Sequence, residues 1–223
     1  MNVPGRRQSV GVSIFLALWA MTAPNPAKAG FIATDLGSGG SYNTTSGYTL
    51  AGPQSSSGLG YGLAVEFTVS GSSSIAFGSA QLALEYHGGA NAVDILLMAD
   101  NSGLPGSTLE TIHLTGIAAG PSLVTATSTA HTLLAPGTNY WLAAVASNDT
   151  YMSWMANSQG QMNHLAYRTD HGAGPSSWGT APGNADVAFS IATAAVPAPP
   201  SFALLGVGLL GLAGYHFGRR RPG

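Results

Sequence analysis

Histidine, serine and carboxylate side chains are the groups in this sequence that could carry out chemistry, and their spacing predicts no local site. Five histidines fall between residues 30 and 195: His87, His113, His131, His164 and His171. No two of them stand at the His-x-His or His-x-x-x-His spacing that places two imidazoles on one metal ion. No metal site is therefore predicted, although ligands brought together from distant strands stay open. No Gly-x-Ser-x-Gly motif is present, and a Ser/His/Asp set assembled by the fold is neither supported nor excluded.

The carboxylates give no catalytic pair either. Glycoside hydrolysis requires two carboxylates at a set separation. Glu66, Glu85 and Glu110 each lie in a predicted strand, where we expect them on the solvent face, and nothing in the sequence pairs them. We therefore predict no catalytic residues, no cofactor and a protein that is not an enzyme. An envelope hydrolase remains as the third hypothesis.

The segments that would have to position these side chains are short β-strands. Apolar residues recur at period two, as in the segment from Tyr61 to Ser70, where Leu63, Val65 and Phe67 would share one face. Similar runs are separated by Gly, Ser, Asn and Pro, and no helix-capping motif precedes a helical pattern. The sequence predicts an all-β fold, a sandwich or jelly roll of about nine strands.

Two turns carry most of the local information. The segment 100–106 holds Asp, Asn and Gly between two strands, which favours a tight connection over a calcium loop. The segment 134–140, Leu-Ala-Pro-Gly-Thr-Asn-Tyr, resembles the tyrosine corner of fibronectin-type sandwiches. On that resemblance the Tyr140 hydroxyl bonds to upstream backbone, and Tyr140 is structural.

Aromatic residues crowd the C-terminal half of the body: Trp141, Tyr151, Trp154, Tyr167 and Trp178. Exposed rings of this kind would suit sugar contact, so a secreted carbohydrate-binding, lectin-like module is the alternative function. Core packing is favoured for Trp141 and Trp154, whereas Trp178 lies in a Gly/Pro/Ser-rich loop and is open to either role. The one cation of the body, Arg168, is expected to pair with Asp170 or Asp186.

Charge and cysteine content exclude several classes of function. Residues 30–195 hold all nine acidic residues of the chain and a single basic one, Arg168. Such an acidic body repels phosphate backbones, so no nucleic-acid partner is predicted. The absence of cysteine excludes disulfides, a thiolate nucleophile and Cys-ligated metals.

Both ends of the chain carry targeting signals. Arg6 and Arg7 precede an apolar stretch, and Ala27 and Ala29 flank Lys28 as a signal-peptidase site, so residues 1–29 are predicted to be a signal peptide with a signal helix. The Arg pair also leaves the twin-arginine route open. One surface domain is predicted for residues 30–195 and a C-terminal sorting or anchor segment for residues 196–223.

The C-terminal segment combines three features in fixed order. A proline-rich break (Val196, Pro197, Pro199) leads into an apolar run from Phe202 to Phe217, which is followed by Arg219, Arg220 and Arg221. The run is short for a bilayer core, which usually asks for about 20 apolar residues, but its glycines suit a single transmembrane helix better than a buried core helix. The arginines should remain cytoplasmic.

This order resembles the PEP-CTERM sorting signal of exported bacterial proteins. In that family an exosortase, a membrane cysteine protease, recognises Pro-Glu-Pro and removes the tail. Ala198 stands where the family usually has Glu. The resemblance implies signal peptidase and an exosortase-type protease as partners, the membrane as a transient one, and a cell-surface or extracellular-matrix destination with extracellular polysaccharide nearby. Residues 40–193 resemble a choice-of-anchor domain of the R type, which brings no catalytic residues.

Overall fold

A computed structural model describes residues 30–195, and these residues form an all-β structure. The strands are β1 (Phe31–Thr34), β2 (Gly47–Ala51), β3 (Gly60–Thr68), β4 (Ile75–Gly88), β5 (Ala92–Asp100), β6 (Pro105–Thr115), β7 (Ser122–Thr127), β8 (Leu133–Leu134), β9 (Asn139–Ala146), β10 (Tyr151–Met155), β11 (Leu165–Asp170), β12 (Gly179–Thr180) and β13 (Phe189–Thr193). A single 3-10 turn covers Ser38–Gly40. The predicted signal helix and C-terminal helix lie outside the described residues.

The strands join into one open sheet by antiparallel pairing. Its order is β1-β13-β4-β10-β2-β3-β9-β5-β6, with β7 and β8 added along β4, β11 beside β3, and β12 beside β11. The long strand β4 is central, because it pairs with β13 and β10 and also with β7 and β8. The all-β class predicted from the sequence is confirmed.

The main core gathers side chains from both halves of this sheet. Leu63, Val65 and Phe67 on β3 belong to one buried cluster, as their alternation predicted. The same cluster contains residues of β4, β5, β9, β10 and β13, among them Phe77, Leu82, Leu84, Ile95, Leu97, Leu142, Met152, Trp154 and Phe189. Each large apolar side chain buried in this way contributes about 1.5–3 kcal/mol, and this burial stabilises a chain that has no cysteine.

The number of strands differs from the predicted nine because several strands are too short to show alternation. Local alternation does not indicate β1, β2 and β12, and the segment from 123 to 134, which could pass for one strand, contains two, β7 and β8. The division falls where Ser128 and the backbone at 129–130 turn towards the Glu110 carboxylate. Hydrogen bonds to a residue on another strand thus end β7, and local sequence does not reveal them.

Both predicted turns are present. The Asp100 carboxylate accepts from the Gly103 N–H at 3.1 Å, and the backbone N–H of Asn101 donates to the Leu104 carbonyl at 2.8 Å. At the second turn the Ala135 N–H donates to the Tyr140 hydroxyl at 3.0 Å. The tyrosine-corner prediction is confirmed.

Within residues 30–195, no helix has the length and apolar character needed to cross a membrane.

Candidate functional site

Two of the three tryptophans considered for sugar contact are buried. Trp141 is 2% exposed and Trp154 is fully buried. The indole Nε1 of Trp154 donates to the Ala188 carbonyl at 2.9 Å, and that of Trp141 donates to Asp100 Oδ1 at 2.9 Å. Neither ring offers an accessible face in this structure, and both pack in the core, which is the role that the sequence favoured for them.

Trp178 is half-buried and lies beneath the single basic side chain of the body. The guanidinium carbon of Arg168 lies 4.8 Å from the ring centroid of Trp178, a cation–π contact. Burial lowers the pKa of Arg168, while the negative charge of Asp170 acts in the opposite direction. No carboxylate of residues 30–195 forms a salt bridge with Arg168, so the predicted pairing with Asp170 or Asp186 is replaced by stacking. Sugar contact at Trp178 stays a prediction.

The histidines are dispersed, and three of them have side-chain partners. His87 Nε2 lies 2.8 Å from Ser153 Oγ, and His113 Nδ1 lies 2.8 Å from Asp94 Oδ1. His164 Nδ1 lies 2.8 Å from Asp186 Oδ2. Within the described part of the chain, no group of three or more His, Cys, Asp or Glu side chains could hold a metal ion.

The His164–Asp186 pair is the arrangement closest to a catalytic one. Asp186 is fully buried, and its second carboxylate oxygen accepts from the backbone N–H of His164 at 2.8 Å. The imidazole itself is about half exposed and borders a cavity of about 360 Å³ that Asp35, Glu66 and Asn139 also line. A buried carboxylate that orients an imidazole is two-thirds of a hydrolytic triad.

No hydrogen bond joins a third member of such a triad to this pair within residues 30–195. No serine or threonine hydroxyl there is hydrogen-bonded to the His164 ring. Beside it, burial raises the pKa of Asp35 to about 6, with a further upward effect from Asp186 and a downward one from His164. The Asp35 carboxyl can therefore exchange a proton near pH 6, and no hydrogen bond in the described chain activates a nucleophile at His164.

Glu110 was expected on the solvent face and is instead buried, with 8% of its surface exposed. Its carboxylate accepts from the Ser128 hydroxyl (3.0 Å), the Thr132 hydroxyl (3.1 Å) and the backbone N–H groups of Thr129 and Ala130. His113 follows three residues later on the same strand, and that odd spacing places it on the opposite, exposed face. Glu110 is therefore a structural carboxylate that fixes the 128–132 turn.

Sequence reasoning missed an aromatic cleft between β2, β3 and β11. Tyr48, Tyr61 and Tyr167 line a cavity of about 360 Å³ there, together with Thr49 and Asn184. Local alternation predicts strands around Tyr61 and around Tyr167. The pairing of β11 with β3, however, joins residues about a hundred positions apart. No local pattern predicts such a pairing.

The predicted processing residues at both ends lie outside the described residues: Ala27, Ala29, Val196, Pro197, Pro199, Arg219, Arg220 and Arg221. The described chain ends shortly after β13, at residue 195.

Comparison with known proteins identifies this C-terminal segment. Residues 195–221 match the PEP-CTERM protein-sorting motif. Neither a curated protein nor a solved structure matches the chain. The motif begins directly after the last strand of the body and includes the proline-rich break, the apolar run and the arginine cluster. It supports an exported protein that is sorted through the membrane by exosortase processing.

Proposed function

We propose that this chain is a non-catalytic exported protein that an exosortase-type protease delivers to the cell surface or the extracellular matrix. The observation that carries the proposal is the sorting motif at residues 195–221, placed immediately after the final strand β13. In this scheme signal peptidase removes residues 1–29 after Ala29. The C-terminal segment then holds the protein in the membrane until it is processed.

The body of this protein, residues 30–195, is proposed to be a β-sandwich of the choice-of-anchor type. Support comes from the shared core of the two halves of the sheet and from the tyrosine corner at Tyr140. A passive structural contribution to the envelope fits the chemistry of the body, since the His164–Asp186 pair lacks a nucleophile among the described residues. Stability comes from core packing, which suits a protein that must persist outside the cell.

A polysaccharide-binding body delivered by the same tail is the second candidate. The specific observation in its favour is the cleft between β2 and β11, where three tyrosines line one cavity. The two candidates share export and sorting and differ only in whether the delivered body recognises a ligand.

Cell fractionation tests the sorting proposal. The full chain is expressed in a bacterium that has an exosortase and in the same strain without it. We expect the protein in the surface or medium fraction of the first strain and in the membrane fraction of the second. Replacement of Arg219, Arg220 and Arg221 by Ala should reduce membrane retention in the strain without the exosortase, because the positive-inside signal is lost. Equal recovery from the cytosol of both strains would contradict the proposal.

A further inference from the structure

The cleft between β2, β3 and β11 arises because β2 separates from β3. The two strands share one residue pair, Ala51 with Tyr61. Beyond it β2 continues along β10, whereas β3 continues along β11 from Gly60 to Val65. The separation leaves a cavity of about 360 Å³ that opens to solvent. This volume lies within the range of small-molecule sites.

The register of β3 and β11 places two aromatic rings side by side in this cleft. Tyr61 pairs with Thr169, and Leu63 pairs with Tyr167. Tyr61 and Tyr167 are therefore diagonal neighbours on one face, within reach of a common ligand. Tyr167 is 45% exposed although it is large and apolar in body. Leu63, directly opposite Tyr167, also lines the cleft and is buried.

The third tyrosine is held in place by the backbone of the segment between β12 and β13. The Tyr48 hydroxyl donates to the Ala185 carbonyl at 2.8 Å, which fixes its ring against the cleft. Of the three phenol groups, Tyr48 alone is hydrogen-bonded within residues 30–195. The hydroxyls of Tyr61 and Tyr167 can thus both donate to a ligand and accept from it.

Further polar groups complete the rim of the cleft. Thr49 contributes a hydroxyl, and Asn184 contributes an amide whose Nδ2 donates to the Ala181 carbonyl at 3.3 Å. That bond orients the amide and leaves its carbonyl oxygen as an acceptor. Aromatic faces beside a few fixed donors and acceptors suit a ligand with apolar C–H faces and hydroxyl edges, which is the chemistry of a sugar ring.

Charge narrows the class of sugar. None of the residues that line this cavity is charged. The surrounding body holds nine carboxylates and one arginine. A site without cations on such an acidic body disfavours uronates, sulfated sugars and phosphorylated sugars. An uncharged pyranose is the ligand that meets no electrostatic penalty.

We propose that the Tyr48–Tyr61–Tyr167 cleft binds a pyranose unit of a neutral polysaccharide. This assignment rests on the proposed function in one respect: export places the protein outside the cell, where it would encounter the polysaccharide. Tyr61 and Tyr167 pack against the C–H face of the sugar, while Thr49 and Asn184 contact its hydroxyls. The cleft gives the delivered body a means of attachment to polysaccharide that does not depend on Trp141 or Trp154.

Direct binding measurements test this site independently of export. The full chain is purified in a detergent without a sugar headgroup and titrated by calorimetry with neutral glucose, mannose and galactose oligosaccharides and with an oligogalacturonate. We expect binding of at least one neutral oligosaccharide and at least tenfold weaker binding of the uronate. Tyr61→Ala and Tyr167→Ala should each weaken neutral binding about tenfold or more, and Tyr167→Phe only a few-fold, because it keeps the ring.

Phe31→Ala provides the matched control, since Phe31 is an aromatic residue that is 72% exposed on β1 and does not line the cleft. Its binding should equal that of the parent. Circular dichroism and thermal melting check that each variant is folded, and Tyr167→Phe remains informative if Tyr61→Ala fails to fold. Any of three results would overturn the proposal. No neutral oligosaccharide binds at millimolar concentration, the uronate binds with the same affinity as the neutral oligosaccharides, or Phe31→Ala loses as much affinity as Tyr167→Ala. A cytosolic location of the protein would overturn the sorting scheme and leave this result unaffected.

Discussion

The Tyr140 hydroxyl accepts a hydrogen bond from the backbone N–H of Ala135, five residues earlier, at 3.0 Å. This bond fixes the turn between β8 and β9 at the point where β9 enters the core. The Tyr140 ring is buried and stacks against Phe67 at a centroid distance of 6.0 Å. One side chain thus joins the turn to the core.

Removal of this hydroxyl should destabilise the protein without altering its fold. Tyr140→Phe keeps the ring and leaves the Ala135 N–H without its partner, which should lower the free energy of unfolding by about 1 kcal/mol. Urea unfolding measures the change. Tyr167→Phe is the control, because that residue is substantially exposed, and its free energy of unfolding should stay within about 0.5 kcal/mol of the parent. Equal effects of the two variants would contradict the role of the tyrosine corner.

Glu110 should be the carboxylate whose loss costs most stability among the three strand glutamates. Glu110→Ala leaves four donors of the 128–132 turn without their acceptor, and we expect a loss of about 2–4 kcal/mol. Glu66→Ala is the comparison, since Glu66 accepts a single exposed bond from Asn139 Nδ2. Thermal and urea unfolding should rank the two clearly. A smaller effect for Glu110→Ala than for Glu66→Ala would show that the turn forms without this carboxylate.

Asp35 should make stability fall as the pH rises. Burial raises the pKa of Asp35 to about 6 from an ordinary value of 3.8, so its neutral form stabilises the folded state below about pH 4. That contribution is lost as the pH rises through about 6. Asp35→Asn cannot ionise and should exceed the parent by about 1 kcal/mol near pH 8, after allowance for solvent screening.

The pH dependence supplies the internal control for this variant. Urea unfolding of parent and Asp35→Asn near pH 4, 6 and 8 should give a difference that grows with pH. A constant difference, or a variant less stable than the parent near pH 8, would show that burial does not raise the pKa of Asp35 in the folded protein.

Gly88, the last residue of β4, and Gly89, which follows it, should differ sharply in their tolerance of a side chain. Gly89 has a φ of +89°, and a Cβ there would meet the backbone carbonyl of Asp149. Gly88 has no atom within 4 Å of a Cβ. We expect Gly89→Ala to cost about 2 kcal/mol or more and Gly88→Ala less than about 1 kcal/mol. Melting temperatures of the two variants measure this, and similar values would refute the close approach of the two chain segments.

Local alternation and turn chemistry made part of this fold readable from sequence. Leu63, Val65 and Phe67 share the predicted face, and the Tyr140 corner forms as its seven-residue pattern indicates. Both features depend on residues within a few positions of one another. Period-two alternation and a Pro-Gly turn act locally, so a single sequence is enough to predict them.

Long-range pairing explains what could not be predicted. β1 is short and pairs with β13 across the length of the body, with Phe31 opposite Ala192. Glu110 was predicted to face solvent because its hydrogen-bond donors lie in the 128–132 turn, distant in sequence. The tyrosine cleft depends on the β3–β11 register. Each of these features is decided by which strands become neighbours, and the local pattern of each strand is compatible with several neighbours.

The central claim is that the sorting motif at residues 195–221 directs export and processing of the acidic β body. Intact-mass spectrometry of the protein recovered from exosortase-containing cells tests it most directly. We predict a polypeptide that has lost the residues up to Ala29 and the tail from near Pro199, and we expect Ala198→Glu, which restores the Pro-Glu-Pro motif, to increase the processed fraction. Recovery of the unprocessed chain from the cytosol, with the same mass whether or not the exosortase is present, would contradict the account.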